Sequence, residues 1–319
     1  MPKNKKRSSL TVGFYNVENL FDTINDPFKN DDEYTPKGRL KWNKGKYRLK
    51  IKKITSILSI LGKESSIHPP ALIGLVEVEN TNVLEDLTRH RNLINSNYDY
   101  IHYDSPDERG IDVALLYNPK LFTVLSSKTV SVELIDTDGS IDYTRDILVV
   151  KGALHGDLVY VLVNHWPSRR DGELETRQKR IMAAKQAREI IEEIKLEEKH
   201  EPKFIVMGDF NDDPSSESVK NYLVKNDFFN PMESLHRKNN GTLTYLGEWH
   251  LFDQIIVSKN FFSENSSLHF TGAYIFKKPW MRIYKGKFKG SPFRTYIGPW
   301  YEGGFSDHFP VYIKFLTKK

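Results

Sequence analysis

Carboxylates, amides and imidazoles recur in this sequence at the ends of apolar runs. The clearest case is Ile205 to Pro214, IVMGDFNDDP, where an apolar run ends in Gly208 and then presents Asp209 and Asn211. Residues two apart share one face of a strand, so both would converge at its carboxyl end if the strand continues, where α/β folds place their sites. Hard cations need oxygen ligands of this type. The same segment also reads as a strand-to-helix turn capped by Asp or Asn. Three other runs repeat the pattern: Leu72 to Val76 delivers Glu77, Leu10 to Tyr15 delivers Asn16, and Phe305 precedes Ser306, Asp307 and His308. Burying such a carboxylate is costly unless a cation or a hydrogen-bond network meets it. His165 follows Val161 to Asn164, and His308 adjoins Asp307, which places two candidate acid/base groups beside polar motifs. Asp253, at the head of another apolar run, has the chemistry to orient an imidazole.

The elements that position these residues are legible as short runs and helical periods. Strand-length runs are Leu10 to Tyr15, Ala71 to Val76, Val113 to Tyr117, Ile147 to Leu154, Leu158 to Val163, Phe204 to Met207, Phe252 to Val257 and Pro310 to Phe315. Tyr47 to Leu61 and Glu173 to Leu196 carry apolar residues at helical spacing and predict amphipathic helices. Ile147 to Val163 predicts a hairpin turning at His155, Gly156 and Asp157, which favours mixed sheets over a purely parallel one. The expected architecture is α/β, two sheets packed face to face with helices outside. No linker or repeat divides the chain, so residues 1–9 are expected to form a loose basic tail and residues 10–319 one domain.

Composition narrows the chemistry. The absence of cysteine excludes disulfides, thiolate metal sites and cysteine nucleophiles. With 39% apolar and 28% charged residues the 319-residue chain has material for a core. Its 47 basic and 42 acidic residues give a net charge of +5, which suits a polyanionic partner without requiring one. The N-terminus lacks the apolar stretch of a signal peptide, and no run is long enough to span a bilayer, so the expectation is a cytoplasmic protein with no membrane partner.

Six segments together, YNVENLFDT (residues 15–23), GLVEVEN (74–80), NHWPSRR (164–170), GDFNDDP (208–214), FDQIIV (252–257) and FSDHFPV (305–311), resemble the motifs of the endonuclease/exonuclease/phosphatase superfamily, in its order. That superfamily includes pancreatic-type deoxyribonucleases, abasic-site endonucleases, neutral sphingomyelinases and inositol polyphosphate phosphatases. The resemblance implies a four-layer sandwich of two mixed β-sheets flanked by helices. It also implies Glu77 as principal Mg²⁺ ligand, Mn²⁺ being the substitute, with Asn16 and Asp307 near the metal. Asp209 and Asn211 would grip the nucleophilic water and the phosphate, His308 and Asp253 would form a dyad, and His165 would hold a phosphate oxygen. Glu79 shares the acidic motif, but the apolar lead-in matches better with Glu77 as the ligand. Abasic-site enzymes usually carry tyrosine where this chain has His165, so the match leans toward the deoxyribonucleases. Asp112, just after Arg109, is expected to orient His165 from across the sheet, or else to pair with Arg109 on a rim.

A phosphodiester repels nucleophiles through its own charge, and this toolkit answers that with a cation and a positioned water. The expected activity is metal-dependent phosphodiester hydrolysis, most simply by a nuclease acting endonucleolytically. A phosphatase or phosphodiesterase for inositol phosphates or phospholipid head groups is the alternative. Arg109, Asp112, Arg169, Arg170, Trp280 and Arg282 are expected to touch substrate, the last two within a Lys- and aromatic-rich segment, residues 277–301, that offers cations to phosphates and flat faces to bases.

Overall fold

The computed structural model describes residues 9–318 except 67, 136–138, 171, 246 and 265, and the side chain of 135. The first eight residues of the expected tail therefore lie outside the described residues, and Ser9 already belongs to the first strand. Twelve strands form two six-stranded sheets. In chain order they are β1 (Ser9–Leu20), β2 (Leu72–Val78), β3 (Asp99–His102), β4 (Asp112–Tyr117), β5 (Phe122–Val130) and β6 (Ile147–Leu154). The remaining six are β7 (Asp157–His165), β8 (Lys203–Asp209), β9 (Phe228–Phe229), β10 (Asp253–Ser258), β11 (Leu268–Ile275) and β12 (Val311–Thr317). The first sheet has the order β11-β12-β1-β2-β4-β3 and the second β9-β10-β8-β7-β6-β5. Each is antiparallel except for one parallel pair, β1 with β2 and β7 with β8. β6 and β7 form the expected hairpin.

Three helices cover the outer faces: α1 (Lys44–Leu58), α2 (Thr81–Thr88) and α3 (Glu173–Glu197). α1 begins three residues earlier than its apolar period, because Asn43 accepts from the backbone N–H groups of Gly45 and Lys46 and so caps the first turn. It ends three residues earlier as well, in turns running to Leu61.

Strand alternation sorts the side chains into layers. On β1, Leu10, Val12 and Phe14 point between the sheets, where they meet Val76, Val113, Leu115, Val161, Val163, Ile205, Met207 and Ile255. Tyr15 and Val17 point outward onto Ile51, Ile54 and Leu58 of α1 and Val83, Leu84 and Leu87 of α2. The outer face of the second sheet, including Leu162, Phe204 and Val206, packs on Ala184, Ala187, Ile190 and Ile191 of α3. The result is the expected four-layer sandwich. The sheets approach so closely that a Cβ on Gly74 would lie 2.5 Å from Met207 Sδ, so a larger residue there would require that side chain to shift. Every strand read from the sequence is interior to its sheet, and the four missed, β3, β5, β9 and β11, are the four sheet edges. β5, for example, alternates buried Phe122 with exposed Thr123, Leu125 and Ser126, too weak a pattern to read as half-buried.

Candidate active site

The inner-face columns that build the core end in polar residues on one side of the sandwich. Val159, Val161 and Val163 are followed two residues on by His165, Ile205 and Met207 by Asp209, and Val12 and Phe14 by Asn16. Asp253 starts β10 two residues before Ile255. Register then sets these residues side by side, since Asp209 pairs with both His165 and Asp253. All four are buried, with Asn16 and Asp253 sealed from solvent.

Asn16 bridges the sheets. Its Nδ2 donates to Asp209 Oδ2 at 3.0 Å and to Glu77 Oε1 at 3.2 Å, while its Oδ1 accepts from the N–H of Glu18. Glu77 sits where the pairing of β2 with both neighbours shifts, in the left-handed region with φ 64°. This bulge turns its carboxylate toward the site, where Oε2 accepts from Asn19 N–H at 2.7 Å and Oε1 lies 3.9 Å from His165 Nε2. Ser306 hydrogen-bonds through Oγ to Asn16 O and accepts from the N–H of His308, which fixes the segment carrying Asp307 and His308.

His308 Nδ1 donates to Asp253 Oδ2 at 2.7 Å, and its Nε2 lies 3.8 Å from Asp209 Oδ2 and 3.9 Å from Asp307 Oδ1. Burial alone would depress this imidazole, but Asp253 and Asp209 outweigh it and hold the ring protonated well above the ordinary histidine range. Burial pushes the Asp209 carboxyl up to about 7, against the pull of His308 and with the help of Asp253. His165 shows the opposite trend, because burial, Arg145, Arg109 and His308 all disfavour its charge and hold it neutral. The site thus pairs a cationic imidazole with a neutral one.

Asn211 reaches the site by a turn. β8 stops at Asp209, and Asn211 adopts φ 49°, donating through Nδ2 to Trp166 O at 2.9 Å and through its N–H to Asp209 Oδ1 at 3.0 Å. Asp307 is braced by Arg294, whose Nη2 lies 2.8 Å from Oδ2. Arg109 donates to Asn19 Oδ1, and Arg170 acts electrostatically on Glu33.

Two expectations are corrected. Asp112 does not orient His165: on β4 it alternates with inward Val113 and so faces away from the sandwich interior, accepting from Ser105 N–H and meeting His102 Nε2 at 3.2 Å. Among the described residues it makes no ion pair with Arg109, its partners being His102 and Ser105. Arg169 is buried and committed to the scaffold, with Nη2 2.8 Å from Asp212 Oδ1, Nε donating to Asn211 O, Nη1 paired with Glu173 and the guanidinium over the Phe252 ring. Trp280 packs against Phe305 and remains exposed on its other side, whereas Arg282 is tied by Nη2 to Lys277 O.

Sequence reasoning missed Glu18, Lys50, Arg145 and Tyr34. Lys50, 1% exposed, reaches from α1 to Thr295 Oγ1 at 2.6 Å and Phe305 O at 2.7 Å, with Glu18 Oε2 at 3.4 Å, and so pins the loop before Asp307. A lysine on the apolar face of a helix was the available signal. Arg145 donates to Asp107 and Trp166 O, and nothing local in the sequence marks it. Tyr34 is raised first by burial and next by Glu77, which places its hydroxyl within the field of the site.

The donor set fits a hard divalent cation. Glu77, Asp209, Asp253 and Asp307 gather around Asn16 and His308, Asp253 Oδ1 is buried without a partner, and a cation would offset the cost of burying charge that, with the nearby Asp253, raises Asp209. The tightest group, Asp209, Asp253 and His308, is already occupied internally by the imidazolium, which leaves Glu77, hydrogen-bonded by Asn16 and Asn19, and Asp307, paired with Arg294 through Oδ2, as the carboxylates to hold the cation.

None of the curated proteins compared matches the chain. Solved structures do. A D. rerio TDP2 complexed with a single-strand DNA product is 16% identical, with TM-score 0.57, 97% of this chain and 100% of that one being covered. A Bacteroides thetaiotaomicron mannosyl-6-phosphatase is also 16% identical, with TM-score 0.59 and coverages of 96% and 99%. An endonuclease/exonuclease/phosphatase family protein from the same species is 17% identical, with TM-score 0.60 and coverages of 98% and 99%. At such identities the likeness concerns the fold. The sequence profile of the Endonuclease/Exonuclease/phosphatase family matches residues 11–318, nearly the whole chain, which therefore belongs to that family of metal-dependent phosphoester hydrolases.

Proposed function

We propose that the chain hydrolyses phosphodiester bonds in nucleic acid, as a Mg²⁺-dependent nuclease for which Mn²⁺ substitutes. The observation that carries this reading is the convergence, across two sheets, of Asn16, Glu77 and Asp209 on the Asp253–His308 pair and His165.

Glu77 and Asp307 are the residues that would hold the cation, with Asn16 fixing the orientation of Glu77. When bound, the cation supplies charge neutralisation at the phosphate and at the leaving oxygen. Asp209, once deprotonated, accepts the proton of the attacking water, and Asn211 steadies the turn that aims it. His308, held cationic by Asp253, stabilises charge on a non-bridging oxygen, and neutral His165 donates a hydrogen bond to another. No covalent intermediate is required.

Support for a nucleic-acid substrate comes from residues 277–301. Part of this segment is scaffold, with Met281 and Tyr296 buried, but Tyr284, Phe288 and Trp300 are exposed beside exposed Lys285, Lys287 and Lys289. These rings and cations precede Asp307 in the chain, and the D. rerio TDP2 complex holds a DNA strand on the same fold. The test is a triple variant, Lys285, Lys287 and Lys289 each to Ala. It should bind single-stranded DNA or RNA more weakly, with a log–log salt slope flatter by roughly 0.7 for each phosphate that is no longer neutralised. Hydrolysis of a small model phosphodiester should survive. Unchanged affinity and salt slope, alongside efficient cleavage of an inositol phosphate or a sugar monophosphate, would move the substrate to the phosphatase alternative.

A further inference from the structure

We propose that the chain carries a second cation site, for a divalent ion of the Zn²⁺ or Mn²⁺ class, at His102, Asp104 and Asp112. One donor atom from each of the three lies within 4.8 Å of the other two, close enough for small side-chain rotations to bring them onto one ion. His102 Nε2 stands 3.2 Å from Asp112 Oδ2, and Asp112 is itself fixed by Ser105, whose N–H and Oγ both donate to Oδ1. Asp112 is thus pre-oriented by Ser105, a neighbour outside the proposed ligand set, as metal ligands usually are.

The surroundings point to a cation independently of these three. Asp104 and Asp112 line a cavity of about 420 Å³ whose wall also includes Asp22, Asp26, Asp31 and Glu79. Asp31 is 2% exposed, and its Oδ1 is buried with no hydrogen-bond partner. An oxygen in that state is costly unless something positive answers it. Among the described residues no ion pair reaches Asp22, Asp26, Asp31 or Glu79. Lys29, which also lines the cavity, is turned to backbone instead, donating to Ser105 O at 2.9 Å and Asp107 O at 2.8 Å.

The imidazole decides the ion class. Mg²⁺ and Ca²⁺ take oxygen ligands, whereas one imidazole with carboxylates suits Zn²⁺ and Mn²⁺. A bound ion would tie the loop that follows β1, including Asp22, Asp26 and Asp31, to the β3–β4 edge. The site is independent of the substrate assigned to the catalytic centre.

The test is equilibrium dialysis of Zn²⁺, and separately Mn²⁺, against the full chain in excess Mg²⁺, with the imidazole ¹⁵N resonances followed in parallel. The wild type should take up one more equivalent than Asp104→Asn, and His102 should shift with Zn²⁺ and broaden with Mn²⁺. Asp31→Asn, removing a charge from the cavity wall, should weaken this uptake by about 10-fold. The His102 side chain is 2% exposed and its replacement risks the fold, whereas Asp104 is exposed and its variant keeps the comparison clean. Equal stoichiometry for wild type and Asp104→Asn, with an unmoved His102 ring, overturns the proposal.

Discussion

The two sheets deliver their halves of the candidate site in different ways. The second sheet uses regular register: His165, Asp209 and Asp253 lie abreast on three hydrogen-bonded strands, each continuing a column of valines, isoleucines or methionine. The first sheet uses irregularity. Glu77, Glu18 and Asn19 all have positive φ, and pairing shifts between Asn16 and Leu20 and between Val76 and Val78. Residues in such conformations cost of order 1–3 kcal/mol each and persist where the surroundings fix them. His165, Asp209 and Asp253 thus stand on ordered strands, His308 on the segment before β12, and Glu77, the carboxylate offered to the cation, on a bulge.

That comparison yields graded expectations. The largest effect is expected where the regular half meets the segment before β12: Asp209→Asn, and His308→Ala, which removes the ring held by Asp253, should each lower kcat by orders of magnitude on a model phosphodiester. Asp253→Ala should resemble a weakened His308→Ala, because it acts through that imidazole, and the double variant should lose far less than the product of the two single losses. Multiplicative losses would show that the two residues act independently.

The next effect is one of pH. With its carboxyl pushed up to about 7, Asp209 is protonated on the acid side, so activity should fall as pH drops below about 7. For stability the sign is reversed relative to a salt-bridged carboxylate. The folded chain holds a proton that the unfolded chain releases near pH 4, so this group's contribution declines as pH rises from about 4 to about 7. Asp209→Asn should therefore raise the melting temperature at pH 8 and leave it nearly unchanged at pH 4. A variant equally stabilised or destabilised at both pH values would contradict the burial argument.

The smallest effect probes the bulge. Glycine adopts φ 64° without the strain that glutamine, like the native glutamate, carries there, so Glu77→Gly should unfold no earlier than Glu77→Gln although it loses more side chain. A glycine variant markedly less stable than the glutamine one would show that hydrogen bonds from Asn19 and Asn16, rather than backbone conformation, dominate at this position.

The same contrast explains what is legible in the sequence. Interior strands can be read because continuous apolar runs are buried on both faces, and their terminal polar residues point to the site. Edge strands cannot, because β3 and β11 mix half-buried and exposed side chains without clean alternation. Asp112 illustrates a subtler limit: alternation along β4 is visible, but which of its faces meets the second sheet is a tertiary fact. Arg169 reads as a substrate ligand in the sequence because its true partner, Asp212, lies more than forty residues away along the chain. Glu77 and Asn211 stand out by motif, yet neither left-handed backbone can be inferred from residue type.

The most direct test of the central assignment is the rate of hydrolysis of a small model phosphodiester as a function of Mg²⁺ for the wild type and Glu77→Gln. The wild type should rise from no activity in excess chelator to saturation, and Glu77→Gln should remain orders of magnitude below it while folded, because the amide keeps the shape but removes the charge that holds a hard cation. Full activity in chelator, or a Glu77→Gln rate within a few fold of the wild type, would contradict the account.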